Sequence, residues 1–535
     1  VKKEAAELSL LLDEALSADG YIRKPALASL LCECIRLDPK RFAFLSRFSK
    51  EAASLLSLHS PLLLLSLGRN DEKKAAWNAF IRENRENHRA LNAEKFDILP
   101  FDTQEKKAMS ALGRTLLAEE RGEKLKDFYN ELADEPLDKR ESDSSSVNLP
   151  ALYREASDRL LEAGFLASKE MRHEASLAPL ALLREWSFDT RVFCGKSDYS
   201  LAGTACAYGR GLSLWSARVS CIMEIVERAS AYASVGVCDG EAFVLDRKTD
   251  MPLVFGRYAD LVKAGKRVLD PALLPLDVPP RDLPLYWVSG KTGRDDEILV
   301  PYQAVFLFSN LHEPELMNAS GSTGLAAGGS LAQAKVNALL ELLERDAEST
   351  VPFLKERAFV LQSRDPVLQS LLDDYQARMI RVQFLDLTHE FGIPVYQAFV
   401  TSVDGRVVRA QACKLNGKDC AMAALTETPW PYSLRQPAPY GQPSGPGLST
   451  LPTRCLEELP NYDLGSSGRN LKLLERRLYD LGYEPIYVDI TRSDLSFPVV
   501  RALIPRFELS ADADPSSHIP RRLLARLHAW RDKEA

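Results

Sequence analysis

Asn337, Glu341, Glu344 and Glu348 fall at i, i+4, i+7 and i+11 in AQAKVNALLELLERDAEST, so one helix face carries an amide and three carboxylates. Leu339, Leu340, Leu342 and Leu343 flank them, and burying those leucines means covering the helix on most sides. A carboxylate taken out of water loses several kcal/mol of solvation unless a cation meets it. The row is therefore either a solvated stripe on an amphipathic helix or a place where cations gather. A second copy favours the cations. Ser220, Glu224, Glu227 and Arg228 repeat the E-x-x-E-R pattern of Glu341, Glu344 and Arg345, again among apolar residues (Cys221, Ile222, Ile225, Val226). Glycines precede both copies, in Tyr208-Gly209-Arg210-Gly211 and in Gly324 to Gly329. Two acidic helices that start from glycine turns suit divalent cations clamping a polyphosphate, with Mg²⁺ between carboxylate and phosphate.

The paired E-x-x-E-R helices, GSTGLAAG at 321–328, ALTE at Ala424–Glu427 and FPVVRALIP at Phe497–Pro505 together resemble the YcaO family, over roughly Phe188 to Phe507. The resemblance implies an α+β fold, with a catalytic domain whose acidic helices lie on a central sheet and hold a nucleotide. By matched position, Glu224, Glu227, Glu341 and Glu344 would bind Mg²⁺ and through it the phosphates of ATP, with Glu348 and Glu427 as further ligands. Arg228 and Arg345 would pair with these acids or with phosphate, the alternative being plain helix salt bridges. Ser220 and Asn337 would bond the nucleotide or order its ligands. Arg210 stands where the family often has lysine, keeping the charge but presenting a planar fork. Ser322 is expected to contact the nucleotide, although the asparagine usual after Ser322-Thr323 is absent. Trp430 stands where a glutamine usually follows ALTE, which points to an altered site or a divergent subfamily.

The implied chemistry is ATP-dependent activation of a peptide amide. A thiol, hydroxyl, amine or external sulfide adds to the carbonyl, ATP phosphorylates the oxyanion, and an azoline, amidine or thioamide results. Another branch of the family assists methylthiolation of a ribosomal protein, so an ATP-binding accessory factor is the second reading; a bare helical scaffold is the third. The implied partners are a peptide or protein substrate, a second copy in a homodimer, and a separate protein supplying substrate or sulfide. No residue stands out as a general base.

Two decoys sit nearby. Gly195-Lys196-Ser197 and Gly290-Lys291-Thr292 mimic a P-loop, but the earlier glycine it requires is replaced by Thr190 and Leu285. A net charge of −7 argues against nucleic acid as the main partner. Nine scattered cysteines without C-x-x-C, and seven histidines without H-x₃₋₅-H, argue against zinc and for reduced thiols in the cytoplasm. The greasiest run, Leu62–Leu65, is far shorter than the roughly 20 apolar residues a membrane span needs.

Leucine periodicity predicts an all-helical N-terminal domain over 1–138. The serine-rich 139–148 reads as a linker and 149–185 as a helical lead-in. The catalytic domain is expected over 186–510, interrupted at 430–467 by a Pro/Gly-rich loop, with a helical tail over 511–535.

Overall fold

The computed structural model describes residues 103–135, 148–193, 198–238, 240–276, 282–307, 311, 313, 316–317, 321–352, 354–378, 380–401, 407–430, 451–509 and 520–534. Most of the expected N-terminal domain, the linker at 139–147, Cys32, Cys34, Leu62–Leu65 and Gly195-Lys196-Ser197 lie outside the described residues.

Two helices, α1 (Thr103–Glu119) and α2 (Glu123–Asp134), lead into α3 (Leu149–Glu162). Then come β1 (Met171–Arg172), β2 (Leu180–Val192), β3 (Tyr199–Gly211) and the first acidic helix, α4 (Leu214–Ala231). Short strands β4 (Val235–Cys238), β5 (Glu241–Val244) and β6 (Met251–Pro252) complete one mixed sheet, in which β3 pairs with β2 along its whole length.

A second sheet runs β10 (Leu325–Ala327), β17 (Val499–Leu503), β16 (Ile486–Asp489), β8 (Pro284–Thr292), β7 (Val254–Arg257), with β9 (Glu297–Pro301) also on β8. The third runs β14 (Val407–Cys413), β13 (Val395–Thr401), β12 (Arg381–Asp386), β11 (Ala358–Gln362), β15 (Thr453–Cys455). The second acidic helix, α5 (Leu331–Thr350), packs on β10, β17, β14 and helix α8 (Ser467–Asp480); α4 packs on β2, β3 and β10. Strand β10 thus touches both acidic helices. Helix α6 (Pro366–Ala377) lies on β12, α7 (Gly417–Glu427) covers β13 and β14, and the C-terminal α9 (Arg521–Glu534) lies along α1.

Local chemistry explains both acidic helices. Ser213 caps α4, its hydroxyl accepting from Ser216 N while the Ser216 hydroxyl accepts from Ser213 N. Ser330 caps α5 through Gln333 N. Any side chain at Gly209 would strike Ala217 O 2.0 Å away, so β3 reaches α4 only through glycine. Gly324 turns at φ +84° with no room for a Cβ beside Ala502 O.

The α+β fold is as expected, its strands divided among three sheets. Two expectations need correction. The helical lead-in ends early, at Gly164 (φ +77°), and SLAPLALLREW instead enters β2, where thirteen residues pair with β3. That ladder buries Ala181, Leu182, Trp186 and Val192, and tertiary pairing outweighs a leucine-rich helix propensity. The loop at 430–467 is partly regular: Thr453–Cys455 adds in parallel to β11, while 431–450 lie outside the described residues. Gly290-Lys291-Thr292 is straight strand within β8, no phosphate loop.

Candidate active site

Glu224 and Glu227 on α4 meet Glu341 and Glu344 on α5, with Glu427 at the end of α7 closing the group. Their mutual repulsion shows the convergence: Glu227 feels Glu341, Glu224 feels Glu427, and Glu344 feels both Glu341 and Glu427. Burial is the leading cause of a raised pKa at all five, pushing Glu227 and Glu344 up to about 8. Some solvent still reaches them (Glu227 keeps 17% of its side-chain surface), as expected of groups inside a concave cleft with protein on most sides.

Arginines interleave with the acids. Arg228 lies 3.5 Å from Glu227 and 4.0 Å from Glu224; Arg345 lies 3.6 Å from Glu344 and 3.7 Å from Glu348. Backbone donors steer individual carboxylates: Tyr208 N donates to Glu224 at 2.8 Å, and Cys413 N to Glu344 at 3.1 Å. Asn337, one turn before Glu341, donates to Ala327 O at 3.3 Å and so ties α5 to β10.

The remaining expected residues divide. Arg210, at the end of β3, acts on both Glu224 and Glu427, and its buried Nε has no hydrogen-bond partner. Ser220 is exposed one turn before Glu224. Ser322 is half-buried in the turn before β10, where its carbonyl accepts from Leu325 N at 2.8 Å. Glu348 is occupied elsewhere: Gln411 donates to it, and Arg409 lies 3.6 Å away. Trp430 is buried in the core formed with Leu177, Phe359, Tyr396 and Leu425, rather than lining the acidic cleft.

Three residues were missed. Arg501 on β17 is buried beside Glu341 and Glu227, donates to Gly321 O at 2.9 Å, and leaves its Nε unpartnered; burial pushes it down to about 10. Its signal was present: a single charge inside the apolar run VVRALI. Lys414 faces Glu344 and Glu427 from the end of β14. The His173 ring lies tilted against the Tyr208 ring, centroids 5.0 Å apart, beside Arg210, with burial lowering its pKa. No sequence spacing links Lys414 or His173 to the acidic helices.

A family model described as YcaO cyclodehydratase, ATP- and Mg²⁺-binding, matches residues 208–508, and this chain belongs to the YcaO family. Its cofactors are ATP and Mg²⁺. An uncharacterized protein of Methanothermobacter thermautotrophicus (strain Delta H) is 26% identical over 56% of this chain and 81% of its own. Among solved structures, YcaO from Methanopyrus kandleri bound with AMPPCP and Mg²⁺ aligns with TM-score 0.47 and 20% identity, over 70% of this chain and 95% of that one. A heterocyclase in complex with substrate and cofactor aligns with TM-score 0.49 and 15% identity over 66% of this chain, which spans 52% of that heterocyclase.

The donor set fits these cofactors. Among the described residues no three His, Cys, Asp or Glu side chains already surround one point. Carboxylate oxygens are nonetheless the ligand type that Mg²⁺ takes alongside phosphate oxygens. The unpartnered Nε atoms of Arg210 and Arg501 are buried donors waiting for an anion. No described helix is long and apolar enough to cross a membrane.

Proposed function

We propose that the chain activates a backbone amide of a peptide or protein substrate by ATP-dependent phosphorylation, giving cyclodehydration or thioamidation. The observation that carries this reading is that buried carboxylates from two separate helices act on one another, with arginines beside them. Carboxylates gathered out of water must be neutralised by protons or by cations, and once ionised this group is matched to a metal-bound polyphosphate.

When bound, Mg²⁺·ATP supplies the phosphoryl group and neutralises its charge. In this chain Glu224, Glu227, Glu341, Glu344 and Glu427 would hold the metal. Arg210, Arg228, Arg345 and Arg501 would meet the phosphates, and Asn337 fixes the register of α5 against β10. Ser220 and Ser322 offer hydroxyls at the rim. Glu348, already engaged by Gln411, orients Arg345 rather than taking a metal itself. His173 is the imidazole nearest Arg210 and stays neutral at pH 7 because burial lowers its pKa. Substrate comes from a separate protein or peptide, and the active form is a homodimer.

The test is phosphate release with candidate peptides, followed by mass analysis of the product. A peptide that raises ATP turnover and loses the mass of water, or exchanges oxygen for sulfur, supports the reading. ATP turnover with no peptide change under any condition contradicts it. Trp430 favours a second reading, in which the chain is an ATP-binding accessory factor for methylthiolation of a ribosomal protein. The core position of Trp430 leaves the cleft without the amide that the family usually has there.

A further inference from the structure

Behind α5, on the face away from its carboxylate row, the two ends of the described chain meet. Asp346 is fully buried, and Arg522 of α9 forks onto it, Nη1 donating to Oδ2 at 2.8 Å and Nη2 donating to Oδ1. Glu508 N donates to the same carboxylate at 2.9 Å. Arg522 also reaches Glu390 at 2.7 Å and Glu508 at 2.9 Å. One turn further along α9, Arg526 donates to Thr350 O, the last residue of α5, at 3.0 Å, to Glu120 at 2.7 Å, and to Glu390. Glu120, just past the end of α1, also takes Arg357. The C-terminal helix, the end of α1 and the turn at Glu390 therefore grip one helix from behind.

Stability alone is a poor reason for this hub. Burying so many charges costs desolvation that apolar residues of the same volume avoid, and such networks are often neutral or unfavourable overall. What a fork on a carboxylate does provide is position, because two parallel N–H···O bonds tolerate little displacement. The opposite face of α5 carries Glu341 and Glu344, which must keep their register with Glu224 and Glu227 of α4 if the two helices are to hold one ligand. Resting on the reading of the site given above, we infer that Arg522, seconded by Arg526, is a positioning residue for the Mg²⁺·ATP site, holding α5 in register with α4.

The experiment uses the full chain with Arg522→Met and Arg522→Lys, measuring Kd for Mg²⁺ with a non-hydrolysable ATP analogue calorimetrically below the thermal midpoint. Arg522→Met is expected to raise Kd at least about tenfold, and Arg522→Lys, which keeps the charge and loses the fork, by a smaller factor. A merely structural role moves the thermal midpoint and leaves the Kd of the folded protein alone. If Arg522→Met is insoluble, Arg522→Lys decides by itself. Kd within about twofold of the unsubstituted chain overturns the inference. Glu341→Gln, run alongside, separates the two levels. Loss of binding in Glu341→Gln with normal binding in both Arg522 variants removes the hub's role and leaves the site. Normal binding in Glu341→Gln removes the site, and the hub's role with it.

Discussion

Glu227 and Glu344 hold protons at neutral pH that a free glutamate has already released, because burial pushes both up to about 8. The proposed role of both as metal ligands requires them ionised, so on that reading binding Mg²⁺ with nucleotide expels those protons. Affinity is expected to rise from about pH 6.5 to about pH 8.5, with proton release seen as a dependence of calorimetric heat on buffer ionisation enthalpy. Stability carries the opposite sign. The folded chain binds more protons than the unfolded one between the ordinary value of 4.5 and about 8, so the cofactor-free protein loses stability as pH rises through that window. A thermal midpoint that rises with pH across the window, without nucleotide, contradicts this. Trp430 makes a different residue-scale case. Trp430→Gln will not restore an amide to the cleft; it places an amide in an apolar core and costs about 3 kcal/mol in chemical denaturation.

At the scale of elements, the two acidic helices are meant to act as one clamp. Glu224→Gln and Glu341→Gln should each weaken Mg²⁺·nucleotide binding by at least about tenfold. Because both act on one ligand, the double variant should fall short of the product of the single effects. Independent, fully multiplicative effects in titration would place the helices at separate sites. These helices were legible because their signal is local: E-x-x-E-R with leucines at helical spacing and glycine before it. Arg210 and Glu427 were legible through motif position alone. SLAPLALLREW was misread because its leucines are equally compatible with a helix, and only the ladder with β3 makes it a strand. Arg501, Lys414 and His173 come in or just after strands far apart in sequence, where no spacing rule connects them to the acids. Trp430 was read only as a departure from the family pattern, whereas its burial in a core shared with Phe359 of β11 and Tyr396 of β13 is tertiary packing that no local pattern announces.

At the scale of the whole molecule, the three sheets bring α4 and α5 together, with β10 touching both and the terminal helices closing behind α5. The N-terminal residues before 103 lead into α1, whose end feeds Glu119 to Arg477 at 2.8 Å and Glu120 to Arg526 at 2.7 Å. The most direct measurement of the central claim is anomalous scattering from a crystal grown with Mn²⁺ in place of Mg²⁺ and a non-hydrolysable ATP analogue. The account predicts manganese peaks about 2.2 Å from carboxylate oxygens on both helices, Glu224 or Glu227 on one side and Glu341 or Glu344 on the other, bridged by phosphate. Manganese and nucleotide bound elsewhere, with the two helices left empty, would contradict it.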